Sequence, residues 1–175
     1  MEFKIAGDSH GPSMLGIIEG IPAGLSIDKE AINTDLRRRQ KGYGRGERMR
    51  IESDEVEIIS GVWNGLTTGA PLVLMVANKA ANPVDVKKER NVPRPGHGDY
   101  SAWAKYGLMD LNAYTERNSA RWTVALTAIG SVAKQFLSVF DVRVMGFVAS
   151  IGKVHVDDVL FDEVQKDFDT YIEKR

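Results

Sequence analysis

The sequence predicts an α+β fold, on three observations. Short apolar runs at Phe3–Ala6, Met14–Glu19 and Leu72–Ala77 are each bounded by glycine, proline or polar residues and read as strands. The segment Asn118–Phe140 carries apolar residues at helical spacing and almost no charge. The elements then follow as strands, helix, strands, helix, strand, not as a regular βαβ alternation. No repeat, low-complexity tract or linker interrupts this order, so the whole chain, 1–175, reads as one domain.

The first strand stops abruptly at Gly7-Asp8-Ser9-His10-Gly11-Pro12, because glycine permits positive φ while proline fixes φ and removes a donor. A carboxylate, a hydroxyl and an imidazole then follow one another in a turn whose backbone a ligand can approach. The second strand ends at Gly20, Pro22 and Gly24. Asp28 is a suitable N-cap for a helix to about Gln40, with Ala31, Ile32 and Leu36 on one face. Lys41–Glu47 is punctuated by Gly42, Gly44 and Gly46 and cannot continue it. Val56–Trp63 alternates as a strand, and Thr67–Pro71 turns the chain into the continuous apolar strand Leu72–Ala77. Asn78–Gly98 is polar and proline-bearing, a loop of about twenty residues, a length that usually serves function or lacks order. In Asn118–Phe140, Trp122, Leu126, Ile129, Ala133, Phe136 and Phe140 form one stripe, with Val124, Ala125, Ala128 and Val132 on the other sides. A helix apolar nearly all round has to be covered on more than one side, which places it inside a layered core. Val142–Ile151 reads as a strand, and Asp157–Lys174 as a charged segment with helical spacing of Val159, Leu160, Val164 and Phe168.

At 175 residues, 43% of them hydrophobic, the chain can bury a sizeable core. A net charge of −1 gives no global attraction to nucleic acid or membrane, so any electrostatic specialisation is local. The absence of cysteine excludes thiol catalysis, disulfides and thiolate metal sites and suits the cytoplasm. With no apolar stretch of membrane-spanning length and no signal core at the start, a soluble intracellular protein is expected.

Three constellations can carry chemistry. In Arg37-Arg38-Arg39, Lys41, Arg45, Arg48 and Arg50, seven cations face one acid, Glu47. Guanidinium forks match phosphates and carboxylates in a planar, two-bonded way, and the glycines between them bring backbone N–H groups close. The plain alternative is a solvated helix end complementing its dipole, which accounts for two or three arginines but not seven cations. Nucleic acid is the weaker ligand class, since Tyr43 is the sole aromatic there. The second constellation, Arg94-Pro95-Gly96-His97-Gly98-Asp99, sets another imidazole in a glycine-framed turn beside an arginine and a carboxylate. His10 and His97 both sit in such turns, whereas His155 does not and receives no role. A loop histidine can equally be just solvated. No two histidines have metal-ligand spacing and the arginines oppose a cation, so no metal site is expected. The third, Arg117-Asn118-Ser119-Ala120-Arg121, lies where the long helix begins and can either cap it or bind a phosphate with its free N–H groups.

In order along the chain, these stretches resemble the N-terminal half of chorismate synthase. Gly7–Pro12 leading to Gly20-Ile21-Pro22-Ala23-Gly24 looks like one family signature, Arg37–Gly46 like its arginine-rich loop, Arg94–Asp99 like its second histidine segment, and Arg117–Thr123 like a further signature. The resemblance implies a layered sandwich with helices between antiparallel sheets, usually assembled as a homotetramer. It implies a lyase of the shikimate pathway, a step in aromatic amino acid biosynthesis. That enzyme forms chorismate by 1,4-elimination of phosphate from 5-enolpyruvylshikimate 3-phosphate and requires reduced FMN without net redox change. By the same resemblance His10 protonates the departing phosphate and His97 interacts with the reduced flavin. Ser9, Arg39, Arg45, Arg48 and Arg94 bind the small phosphorylated carboxylate substrate. Arg117, Asn118 and Ser119 touch FMN, and Arg39 and Arg45 also serve NADPH in members that reduce their own flavin. No nucleic acid or membrane partner is implied.

Two positions depart from the family pattern. Asn118 stands where a serine is usual, and Trp122 where a glutamate is common. Family members are about twice as long, and the part not represented here carries a catalytic aspartate and much of the flavin pocket. A truncated, non-catalytic anion-binding or assembly module of the same descent is therefore the alternative expectation.

Overall fold

The computed structural model describes residues 1–41, 53–79, 89–107, 110–146, 148 and 150–155. Four strands form one antiparallel sheet: β1 (Glu2–Gly7), β2 (Ser13–Glu19), β3 (Val56–Ser60) and β6 (Leu72–Ala77), in the order β1-β2-β6-β3. In register, Met14 faces Gly7 and Val76, and Ile18 faces Phe3 and Leu72. Residues opposite one another share a face of the sheet. Met14, Ile18, Val56, Leu72, Leu74 and Val76 are accordingly all buried on one side. Leu15, Ile17, Val73 and Met75 lie on the other and are half-buried.

Two helices cover the buried face. In α1 (Lys29–Gln40) the Asp28 carboxylate accepts hydrogen bonds from the N–H groups of Glu30 and Ala31, the cap expected from the sequence. Ile32 and Leu36 are fully buried against α4 (Trp122–Ser138). Gln135 on α4 ties the two helices by accepting from the Asp28 N–H (2.7 Å) and donating to the Asp28 carbonyl (3.0 Å). This sheet-and-helix packing is the α+β arrangement expected. Among the described residues no helix is long and apolar enough to cross a membrane.

Several expectations change in detail. α4 begins at Trp122, not Asn118, since Trp122 and Thr123 bond back only three residues, to Ser119 and Ala120. Its buried side is Val124, Ala125, Ala128, Ile129, Ser131 and Val132, whereas Leu126 and Phe140 of the expected stripe are 43% and 63% exposed. Ala125, Ala128 and Ser131 allow close approach to the sheet and α1, while Leu126 and Phe140 are left outward. Val56–Trp63 is not one strand. The register slips between Ile58 and Ser60, and the chain turns into a separate hairpin, β4 (Val62–Trp63) with β5 (Leu66–Thr67). Asn64 and Gly65 between them both have positive φ, which fits the two-residue hairpin loop that Asn-Gly favours. Val142–Ile151 is likewise not one strand: 142–146 is irregular, and among its described residues only β7 (Ser150–Ile151) pairs, with β8 (Val154–His155). Asp157–Lys174 lies outside the described residues.

Two short helices were not anticipated, α2 (Asp99–Tyr106) and α3 (Asn112–Arg117). Ala102, Leu111 and Tyr114 form a small core of their own, with Tyr114 stacked on Tyr106. That packing fixes α3 beside the two histidine turns.

Candidate active site

The first histidine turn is set by backbone geometry. Gly7 has φ +102°, and a Cβ there would lie 2.4 Å from the Ser13 carbonyl, so only glycine lets β1 close onto β2 at this point. Asn78, at the end of β6, then clamps the loop from inside. Its amide donates to the carbonyls of Asp8 (3.1 Å) and Gly11 (2.7 Å), and its own N–H donates to Pro12 (2.9 Å).

The turn carries Ser9 and His10 onto Glu116 of α3. One carboxylate oxygen of Glu116 accepts from the His10 N–H (2.8 Å) and the Ser9 hydroxyl (3.1 Å), and the other lies 2.8 Å from His10 Nδ1. Burial pushes the Glu116 carboxyl up, but the His10 N–H, the imidazole and the Ser9 hydroxyl together outweigh it, and the group stays below the ordinary glutamate range. Ser9 is fully buried.

The second turn is an ion-pair cluster around Asp99. This fully buried carboxylate accepts from Arg94 Nε (2.9 Å), Nη2 (3.0 Å) and backbone N–H (3.1 Å), and from Arg90 Nη2 (3.1 Å). His97 Nδ1 lies 2.9 Å from the same carboxylate and 3.0 Å from Arg94 Nη2. Hydrogen bonding from Arg94 holds the Asp99 carboxyl far below its usual range against the opposing effect of burial, and the carboxylate in turn raises Arg94. Thr115 on α3 accepts from Arg90 (2.8 Å), so α3 braces this turn as well.

The remaining motifs meet at the same place. Gly98 packs against the Asn118 side chain so closely that a Cβ would lie 2.8 Å from Asn118 Cγ. Arg117 sits over the rings of Tyr106 and Trp122, with its guanidinium carbon 5.4 and 5.7 Å from their centroids, and Trp122 Nε1 donates to the Glu116 carbonyl (2.9 Å). Trp122 thus holds Arg117 through its ring. Ser119 Oγ accepts from the Arg121 N–H (3.2 Å). Arg39, near the end of α1, bonds through Nε to Thr123 (3.0 Å), through Nη2 to the Ala120 carbonyl (3.2 Å) and through Nη1 to Asp54 (3.3 Å). Arg38 and Arg39 also line an open groove of 540 Å³ with Thr127, Ser131 and Lys134. Arg45 and Arg48 lie outside the described residues.

Nothing in the sequence singles out Glu116, Arg90, Thr115 or Asp54, and Arg121 enters there only as the end of the capping or phosphate-binding stretch Arg117–Arg121. Arg121 is instead buried, bonded to Asp54 (2.7 Å), to the Asn78 side-chain carbonyl (2.7 Å) and to the Ala77 carbonyl (3.1 Å). It links the Asn78 clamp under the His10 turn to Asp54, which Arg39 also grips. Residues 115–123, which include the fourth motif stretch, therefore contact the other three.

The chorismate synthase family model matches residues 1–174. The chain belongs to the chorismate synthase family. It is 54% identical over 168 residues to the chorismate synthase of Thermotoga maritima, covering 95% of this chain and 44% of that protein. With the Geobacillus thermodenitrificans chorismate synthase it shares 45% identity over 182 residues, covering 95% of this chain and 47% of the relative. A solved structure titled "Crystal Structure of Chorismate Synthase" superposes with a TM-score of 0.70 at 38% identity, covering 94% of this chain and 40% of that one. The chain thus spans somewhat under half the length of the chorismate synthases it matches.

Proposed function

We propose that this chain carries the two-histidine half of a chorismate synthase site, acting in the 1,4-elimination of phosphate from 5-enolpyruvylshikimate 3-phosphate. The observation that supports this most is the convergence of three motif stretches on the fourth and its flank, residues 115–123, which brings both histidine turns and Arg39 to one junction. The substrate bears a phosphate and two carboxylates, and the supply of guanidiniums suits it. Arg45 and Arg48 belong to this proposal from the sequence alone. Arg94 keeps Nη1 without a partner among the described residues, while its other nitrogens hold Asp99.

His10 is the proton donor to the departing phosphate. Its Nδ1 is engaged by Glu116, so the proton is given at Nε2. Ser9 is buried beside it and supports the same group. Phosphate charge developing beside fixed cations is the main stabilising effect expected, since preorganised charge costs no reorganisation as the bond breaks.

The residues present fit reduced FMN at the α3–α4 junction. Arg117 is an exposed cation steadied by two aromatic rings, and Asn118 packs against the turn that carries His97. Arg117, Asn118 and Ser119 would hold the flavin, with His97 beside it. When bound, reduced FMN supplies electron density to the elimination without net consumption. NADPH as a flavin reductant at Arg39 and Arg45, a homotetrameric assembly, a cytoplasmic location and a single domain over 1–175 complete the proposal.

The test is anaerobic incubation of the chain with reduced FMN and 5-enolpyruvylshikimate 3-phosphate, following chorismate and phosphate. Turnover that falls about 10²–10⁴-fold in His10→Ala and in His97→Ala supports the enzyme reading. Substrate binding without turnover assigns the chain to the non-catalytic alternative.

A further inference from the structure

We propose that Glu116 is a positioning residue: it locks the His10 imidazole in the Nδ1–H form and presents Nε2 as the working nitrogen. This rests on the reading of His10 as the proton donor and adds a residue to that site. The contact is unusual in its completeness. One carboxylate oxygen takes the backbone N–H of His10 and the hydroxyl of Ser9, while the other takes the ring nitrogen of the same histidine. Backbone and ring are therefore held together by a single rigid group from a helix 106 residues away.

The chemistry of the contact dictates the tautomer. An ionised carboxylate only accepts, so the nitrogen 2.8 Å from it must carry the hydrogen. Nε2, which has no hydrogen bond within the described residues, is left as the nitrogen that gains or gives a proton. Glu116 is held in turn. Its side chain is 16% exposed, its carbonyl accepts from Trp122 Nε1, and its neighbour Tyr114 is buried in the small core under α3. Ser9, fully buried, spends its hydroxyl on the same carboxylate and lies 3.1 Å from His10 Nδ1. Tyr114 and Leu111 already anchor α3 in the small core, so the contact is not what holds that helix in place.

The experiment is a long-range proton–nitrogen NMR spectrum of the full chain with ¹⁵N-labelled histidine, recorded at a pH about two units above the ordinary imidazole value of about 6.5. His10 is expected as the Nδ1–H form in the unaltered chain. In Glu116→Gln, whose amide can donate to the ring, the Nδ1–H population should fall several-fold while His97 and His155 keep their patterns. An Nε2–H pattern for His10 in the unaltered chain overturns the proposal, and that reading needs no variant to fold. So does an unchanged pattern in a folded Glu116→Gln. In the turnover assay, the same variant should lower kcat about tenfold or more with little change in KM, short of the full loss of a proton donor. Turnover with an unaltered tautomer sinks the role of Glu116 and leaves the enzyme reading standing. The tautomer change without any turnover does the reverse.

Discussion

His10 and His97 each point Nδ1 at a carboxylate, at 2.8 and 2.9 Å, but the two carboxylates are supplied in different ways. Glu116 comes from a distant helix, and among the described residues His10 is its only ionisable partner. Asp99 comes from the same loop as its histidine and is gripped by Arg90 and Arg94 as well. The second difference follows from donor chemistry. Next to His97 Nδ1 stand both a carboxylate, which only accepts, and Arg94 Nη2, which only donates. The ring can give its hydrogen to Asp99 or take one from Arg94, but not both at once. His10 is thus held in one form, and His97 is left with a choice between two. The first arrangement suits the proton-donor role proposed for His10, and the second suits the place beside the flavin proposed for His97.

The largest effect should come from breaking the arginine-bound side. Asp99→Asn leaves two part-buried guanidiniums facing a neutral amide, and loss of one partner from a buried ion-pair cluster costs about 3–5 kcal/mol. Urea unfolding of the variant should show this as a large drop in midpoint with the slope unchanged. A drop no larger than that of Glu116→Gln would mean that the two turns are equivalent after all.

A smaller effect, with a pH signature, is expected on the His10 side. The Glu116 carboxyl lies lower in the folded chain than in the unfolded one. Its ionised form therefore stabilises the fold above the ordinary glutamate pKa of about 4.3, and this contribution is lost as pH falls through the depressed folded value. At pH 7, Glu116→Gln should be less stable than the unaltered chain by about 1–2 kcal/mol, with the gap closing in acid. Denaturant melts at both pH values check the sign. A gap that widens in acid would contradict it. Asp99 follows the same rule but remains ionised to lower pH, because Arg94 holds its carboxyl far down.

The smallest change belongs to Trp122. Trp122→Glu exchanges a ring contact with Arg117 for an ion pair at its edge. Each is worth about 0.5–1 kcal/mol, so the melting temperature should move by only a few degrees. A large loss would show that the indole bond to the Glu116 carbonyl carries α3, and with it the His10 side.

The legibility of the site followed the same division. Arg94, His97 and Asp99 lie within six residues, and their cluster could be read as a unit because its bonds are local. The helix cap at Asp28 and the strands of the main sheet were legible for the same reason, since cap chemistry and alternation are local signals. The Asn64-Gly65 dipeptide, just past the run Val56–Trp63, is a strong hairpin signal that splits Val62–Trp63 off into its own hairpin. Glu116 could not be found this way, because nothing in the residues around it names a histidine in the first turn of the chain. α3 itself has only six residues and no side-chain cap, too short for periodicity to mark. The buried role of Arg121 is not legible from the stretch Arg117–Arg121, because its partners, Asp54, Ala77 and Asn78, belong to other parts of the chain.

Whether the two turns serve one ligand is settled most directly by the three histidines themselves. A ¹⁵N-histidine spectrum of the chain, titrated with 5-enolpyruvylshikimate 3-phosphate, should show His10 and His97 shifting together with the same midpoint while His155, on an exposed hairpin strand, stays in place. Movement of only one of the two, different midpoints, or no movement in a folded chain would contradict a single shared site.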